Sequence, residues 1–184
     1  MMKLNKLSLK KFLSLSSQEK ENIVFILENG LRENKVLRVG KKEFYPVDIW
    51  RISYSEMIFM KDNIESDNFI DCINIVYNTT EYIIERANIF NVFCVFEYIK
   101  SRMKDIKRLE EQEFNNDEDK DDQRAGIDIF NKYGYYNELR SLTGGDRTKD
   151  KFYLDMPYID VFMELTYKSN LIKFEKKLSE IKNK

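Results

Sequence analysis

A mainly α-helical fold, an irregular helical bundle with one long helix and a small β-hairpin near residues 36–46, follows from three observations on this 184-residue chain. Between Asn91 and Phe114, Val92, Phe96, Ile99, Met103 and Ile106 recur at alternating spacings of four and three, which lines one seam of a helix. Elsewhere, Ser, Thr or Asp stands just before an acidic residue and an apolar run, the signature of a helix start. Only VLRVGKKEFYPV, from Val36 to Val47, breaks into short β-type runs around Gly40-Lys41.

Taken in order, Leu9, Phe12, Leu13 and Leu15 form a first helical patch, and Ser16 or Ser17 caps a second helix with Glu19 or Glu21 in its first turn. Gly30 is its expected stop. Pro46 and the shortness of the hairpin make it an edge feature. Trp50 is expected to anchor the core, and Ser53 or Ser55 to cap a helix carrying Met57, Ile58, Met60 and Ile64. A helix over Asp67–Tyr77 and another after Thr79 or Thr80 lead into the long element, either continuous with it or bent near Asn88 and Asn91. Beyond Ile106 only Leu109 and Phe114 are apolar, so the second half of the long helix reads as a stalk into solvent. Glu110–Arg124 holds eight acidic residues and reads as an acidic linker or helix end. Helical pattern resumes at Ile127, Ile129, Phe130 and Tyr133 and halts at Gly134; Leu139 and Leu142 mark a short helix before the turn Thr143–Asp146. The last helix has Asp155 or Met156 as cap, Pro157 in its first turn, then Val161, Phe162, Leu165, Ile172, Leu178 and Ile181. The expected organisation is a helical body over 1–109, the acidic linker over 110–124, and a C-terminal helical segment over 125–184 packing back on the body.

Composition bounds the function more firmly than any motif. The chain has no histidine, which removes Ser-His-Asp and Cys-His catalysis and histidine-ligated zinc. Lys+Arg 31 against Asp+Glu 32 leaves a net charge of −1, so no global field draws the protein to nucleic acid or anionic membrane. Cys72 and Cys94 sit among apolar residues, as reduced buried thiols do. The N-terminal MMKLNKLSLKKFLSLSS alternates leucines with polar residues instead of forming a signal-peptide core, and no run approaches the ~20 apolar residues of a membrane span. A cytoplasmic, non-membrane protein is expected. Lys outnumbers Arg 22 to 9 and alanine occurs only at Ala87 and Ala125, so helix stability must come from packing more than from propensity.

Four stretches carry candidate chemistry. Asp117, Asp119, Asp121 and Asp128 approach the spacing of a calcium loop, but Asp122 occupies the position where glycine makes the sharp turn, and Asp128 the place of a bidentate Glu, so no metal is assigned. Gly144-Gly145 lacks the preceding strand and following Lys of a phosphate loop, so no cofactor is assigned either. Lys3, Lys6, Lys10 and Lys11 around Phe12 suit a solvated helix face better than a membrane-surface one. Arg140, Arg147, Lys149 and Lys151, just after Tyr133, Tyr135 and Tyr136, form a basic segment with aromatics, the composition of a single-strand nucleic-acid binder. Phe152 and Tyr153, with Tyr135 and Tyr136, are the candidate protein-binding residues, since helices rich in Phe, Tyr, Ile and Met suit adaptable interfaces.

The run Ile106-Lys-Arg-Leu-Glu-Glu-Gln-Glu, the acidic gap, Ala125-Gly126-Ile127, Phe130–Tyr135, Leu142-Thr-Gly-Gly-Asp146 and Met156-Pro-Tyr-Ile-Asp-Val-Phe162 together resemble small helical assembly proteins of tailed bacteriophages, of the tail or baseplate assembly chaperone type. That resemblance, over roughly Ile106–Leu178, implies a non-enzymatic protein that binds a virion component such as a tape-measure or hub protein in the host cytoplasm. Two alternatives stand beside it: a structural connector or neck subunit, oligomeric in the virion, and a small nucleic-acid-binding regulator using Arg140–Lys151.

Overall fold

A computed structural model of the chain describes residues 7–28, 32–66, 68–114, 129 and 132–182. Over these residues the fold is mainly α-helical with a two-stranded antiparallel hairpin, and the chain packs as two compact units. One unit comprises residues 1–52 and 59–105, the other residues 53–58 and 106–184. The expected stop at Gly30, the calcium-like Asp117–Asp128 and the linker beyond Phe114 lie outside the described residues, as do Lys3, Lys6, Ile127 and Phe130.

In the first unit, α1 (Leu9–Leu13) starts at Ser8, whose hydroxyl accepts from the Lys11 amide at 3.3 Å. Its buried residues are Leu9 and Phe12, which leaves Lys10 and Lys11 on the solvated side. A capping box opens α2 (Ser17–Glu28): the Glu19 amide donates to the Ser16 hydroxyl at 3.4 Å and the Ser16 amide donates back to the Glu19 carboxylate at 3.0 Å. These bonds hold the Glu19 carboxyl below its ordinary value. Strands β1 (Leu37–Val39) and β2 (Lys42–Phe44) pair in the register Leu37↔Phe44, Arg38↔Glu43, Val39↔Lys42, with Gly40 at φ +62° making the tight turn.

Trp50 is only half-buried, contrary to its expected anchoring role; Ile49 and Ile52 enter the core instead. The reason is local: the Asp48 carboxylate accepts from the Trp50 amide at 3.1 Å and winds Ile49–Arg51 into one 3-10 turn, which points its two isoleucine neighbours inward. Helix α3 (Tyr54–Asn63) opens on a second capping box, Ser53 with Glu56. Next, α4 (Phe69–Tyr77) closes on Asn78 in the left-handed region at φ 46°, which lets the Asn78 amide reach back to Ile75. Thr80 precedes α5 (Glu81–Glu85) as expected, without a side-chain capping bond.

The long helix α6 (Ile89–Phe114) is separate from α5 and begins two residues before its expected start at Asn91. Asn88 causes both results: its carbonyl side chain accepts from the Phe90 amide at 2.9 Å, and its side-chain NH2 donates to the Leu7 carbonyl at 3.3 Å. Leu7–Leu9 then pairs with Ala87–Ile89 through the bonds Leu9 N–H to Ala87 and Ile89 N–H to Leu7, each 2.9 Å. The predicted seam is present, with Val92 and Ile99 fully buried and Met103 and Ile106 nearly so, while Phe96 is half-buried. Cys94 and Val95 widen it, as a core-facing helix requires. Phe93 meets Phe12 edge-on at 6.1 Å and Phe69 at 6.0 Å, and Phe69 also meets Phe96 at 5.5 Å. Asn91 ties the hairpin to the helix: it accepts from the Arg38 amide at 2.6 Å and donates to the Val36 carbonyl at 3.0 Å. Cys72 and Cys94 are free and buried as expected, and burial pushes the Cys72 thiol up to about 11.

In the second unit, α7 (Tyr135–Thr143) ends at Gly144 in the left-handed region, followed by a 3-10 turn Arg147–Lys149, α8 (Asp150–Leu154) and α9 (Tyr158–Lys182). Pro157 stands just before α9, one position earlier than expected, with its carbonyl accepting from the Asp160 and Val161 amides. The end of α6 is not a stalk. Phe114 packs on Phe162 at 5.4 Å, and the Glu113 carbonyl accepts from the Ser169 hydroxyl at 3.3 Å and the Lys173 ammonium at 3.0 Å. Lys173 thereby brings a cation to the last described turn of α6, a favourable charge at that end of a helix, which sequence periodicity alone does not reveal.

Candidate functional site

Helix α9 carries two apolar faces. On one, Tyr158, Val161 and Ser169 are buried and Phe162 and Leu165 half-buried against the rest of the second unit. At 100° per residue, a second set falls roughly 180° away. It comprises Met163, Tyr167, Leu171, Phe174, Leu178 and Ile181, exposed by 60, 66, 41, 62, 37 and 71%. From Tyr167 onward the spacing is four, three, four, three, the repeat of a coiled-coil seam. Reading the apolar residues of this helix as one set hides the arrangement; sorting them by helical phase reveals it.

At the root of α9 lies a buried polar cluster that sequence reasoning missed. The Tyr54 and Tyr158 rings stack at 6.2 Å with an interplanar angle of 17°, and both residues are almost completely buried. The Tyr54 hydroxyl donates to the Glu138 carboxylate at 2.7 Å, and the Tyr158 hydroxyl donates to the Glu110 carboxylate. Burial first, then the two carboxylates, push both phenols far above the ordinary tyrosine range, so they stay protonated donors. The Tyr54 amide also donates to the Met156 carbonyl at 2.9 Å, beside the bridge Ser53↔Pro157. The cluster joins α3, α6, α7 and the start of α9. Its chemistry is positional: two permanent donors on two carboxylate acceptors fix the base of the helix.

The candidate protein-binding residues divide by exposure. Phe152 and Tyr135 are exposed by 63 and 47%, whereas Tyr153 and Tyr136 are half-buried. Phe152 and Tyr153 meet edge-on at 5.3 Å. Among the basic residues, Arg140 is ion-paired with Asp150 and lies over the Tyr136 ring at 4.9 Å, and its Nε is buried without a hydrogen-bond partner. Lys149 lies 3.8 Å from Asp146, and Arg147 donates to the Tyr136 hydroxyl at 3.3 Å. Asp146 itself is held below the ordinary carboxylate range, chiefly by Thr148. Lys151 is exposed. The segment therefore spends three of its four cations on neighbours.

The first unit holds a cavity of ≈470 Å³ lined by Arg38, Arg86, Asn34, Asn88 and Asn91 among others. Its asparagines are already engaged with backbone groups, and Arg38 is paired with Glu43 at 2.9 Å. Among the described residues no group of three or more Cys, Asp or Glu side chains is arranged to hold a metal ion, and no helix is long and apolar enough to cross a membrane. Compared with family models, curated proteins and solved structures, the chain matches none.

Proposed function

We propose that this is a non-enzymatic interaction protein that binds another protein through the exposed apolar and aromatic surface of its second unit. The observation that carries this reading is the outer stripe of α9, Tyr167 to Ile181, in which every fourth or third residue is apolar and at least a third exposed. Removing large apolar side chains from water yields about 25 cal/mol per Å², so a continuous stripe of this kind is a standing driving force for association. Phe152 and Tyr135 are further exposed aromatics of the same unit. The setting within that reading is the assembly of a tailed bacteriophage in its host's cytoplasm, with a tail or baseplate component as partner; this rests on the resemblance of residues 106–178.

A second reading, a connector or neck subunit of the virion, is favoured by the same stripe, because a permanent oligomer would keep it covered. Particle mass spectrometry separates the two, since an assembly chaperone is absent from finished virions. Nucleic-acid binding through Arg140, Arg147, Lys149 and Lys151 has less support, because Arg140 and Lys149 are already paired with acids.

The test is a photo-cross-linking amino acid placed at position 152, 171 or 180 in the cell that makes the protein. Discrete protein adducts from 152 and 171, and few from 180, are expected. Adducts equally abundant from 180, or none at all, would overturn the reading.

A further inference from the structure

Building on that reading, we infer that the occupant of the α9 stripe is a second copy of this chain, paired antiparallel along residues 167–181. The stripe is self-complementary in one register. Setting Leu171 against the partner's Phe174 also sets Tyr167 against the partner's Leu178, and each contact occurs twice by the two-fold symmetry. Four apolar layers result, closed at either end where Ile181 reaches the partner's Glu164.

The flanking charges choose the direction. In the antiparallel register, Lys168 lies beside the partner's Glu175 and Glu175 beside the partner's Lys168. In the parallel register, the corresponding flank sets Lys177 beside the partner's Lys182. Opposite charges at such flanks favour a pairing and like charges disfavour it. Lys168 also donates to the Ser141 and Leu142 carbonyls at the end of α7, which uses two of its three donors and leaves one for the partner's Glu175.

The fold leaves room for the pairing. Among the described residues, Phe162, Ser169 and Lys173 meet the end of α6 on the Tyr158–Val161–Ser169 side, and the stripe lies opposite. The area is modest. Tyr167 and Phe174, exposed by 66 and 62%, each offer on the order of 100–150 Å². With Leu171, Leu178 and Ile181 from both copies, the sum is on the order of 1,000 Å², the lower end of specific interfaces. Interfaces at this end of the range include weak, transient complexes, so a reversible dimer in the micromolar range is expected.

Sedimentation equilibrium of the full chain from about 1 to 300 µM tests this. The expected result is a monomer–dimer equilibrium that Leu171→Glu weakens at least ~100-fold and Glu180→Ser leaves unchanged. Leu171→Glu faces solvent in the monomer, so its circular dichroism should match wild type; if it does not, Phe174→Ser takes its place. Spin labels at Asn170→Cys and Lys182→Cys test the direction, since Cys72 and Cys94 are buried. Antiparallel pairing puts the two axial positions for residue 170 roughly 8 Å apart and those for 182 roughly 29 Å apart. Short distances at both sites would overturn the antiparallel register, and a monomer at all concentrations would overturn the dimer. The wider reading fails separately. A monomer whose position 171 cross-links to a different protein removes the dimer and keeps the interaction protein. A dimer without any other adduct from 152 does the reverse.

Discussion

Replacing Tyr54 by Phe tests whether the buried cluster at the base of α9 holds the second unit together. The substitution keeps the ring, which is fully buried and stacked on Tyr158 at 6.2 Å, and deletes only the hydroxyl that donates to Glu138 at 2.7 Å. A hydrogen bond to a charged acceptor contributes about 1.5–3 kcal/mol. Glu138 is half-buried and recovers some water when its donor is gone, so the expected loss is about 1–2 kcal/mol. For a chain of this length that lowers Tm by roughly 2–8 °C. Tyr54→Ala would cost about 3–5 kcal/mol, because it also empties the ring's site. Thermal unfolding followed by far-ultraviolet circular dichroism measures both, and a cycle with Glu138→Ala isolates the bond. Tyr54→Phe within about 0.3 kcal/mol of wild type, or additivity in the cycle, would refute the claim that this bond carries the effect.

Two more outcomes follow from the same geometry. Asn91→Ala deletes the acceptor for the Arg38 amide and the donor to the Val36 carbonyl, and should destabilise the first unit by about 1–3 kcal/mol and speed amide exchange in the hairpin. At alkaline pH, the folded protein holds the phenols of Tyr54, Tyr77 and Tyr158 and the Cys72 thiol above their ordinary values. The unfolded chain therefore releases these protons first. Their contribution to stability is complete below the unfolded values and shrinks as pH rises, for Cys72 between 9.0 and about 11. Tyrosinate absorbance checks this: of the 11 tyrosines, those three should ionise only as the protein unfolds.

What could be read from the sequence was local or periodic. The seam Val92–Ile99–Met103–Ile106 repeats at helical spacing, and the Ser16–Glu19 and Ser53–Glu56 boxes span three residues each, so their physics is contained in short windows. The hairpin was legible for the same reason. What stayed hidden depends on partners far along the chain. Asn88 starts α6 where it does through its pairing with Leu7, 81 residues away, and Tyr54 finds Glu138 across 84 residues. The supposed stalk of α6 is met by Lys173 and packed on Phe162, which its own charge run gives no reason to expect. In α9 the periodicity was present but carried two phases at once. Only the burial of Tyr158, Val161 and Ser169 tells which phase the chain keeps for itself.

The exposed phase of α9 is where association would be felt. Residues 170–182 form the end of α9, and apart from half-buried Lys173 they are all exposed in the single chain. A helix end with so little packing frays, and its amides exchange quickly with solvent. Amide hydrogen exchange at about 1 µM and about 300 µM, either side of the expected dimer Kd, measures whether the stripe is covered. Fast exchange over 170–182 is expected in the dilute sample and protection in the concentrated one, with residues 158–169 protected in both. Equal, rapid exchange of the tail at both concentrations would contradict the pairing.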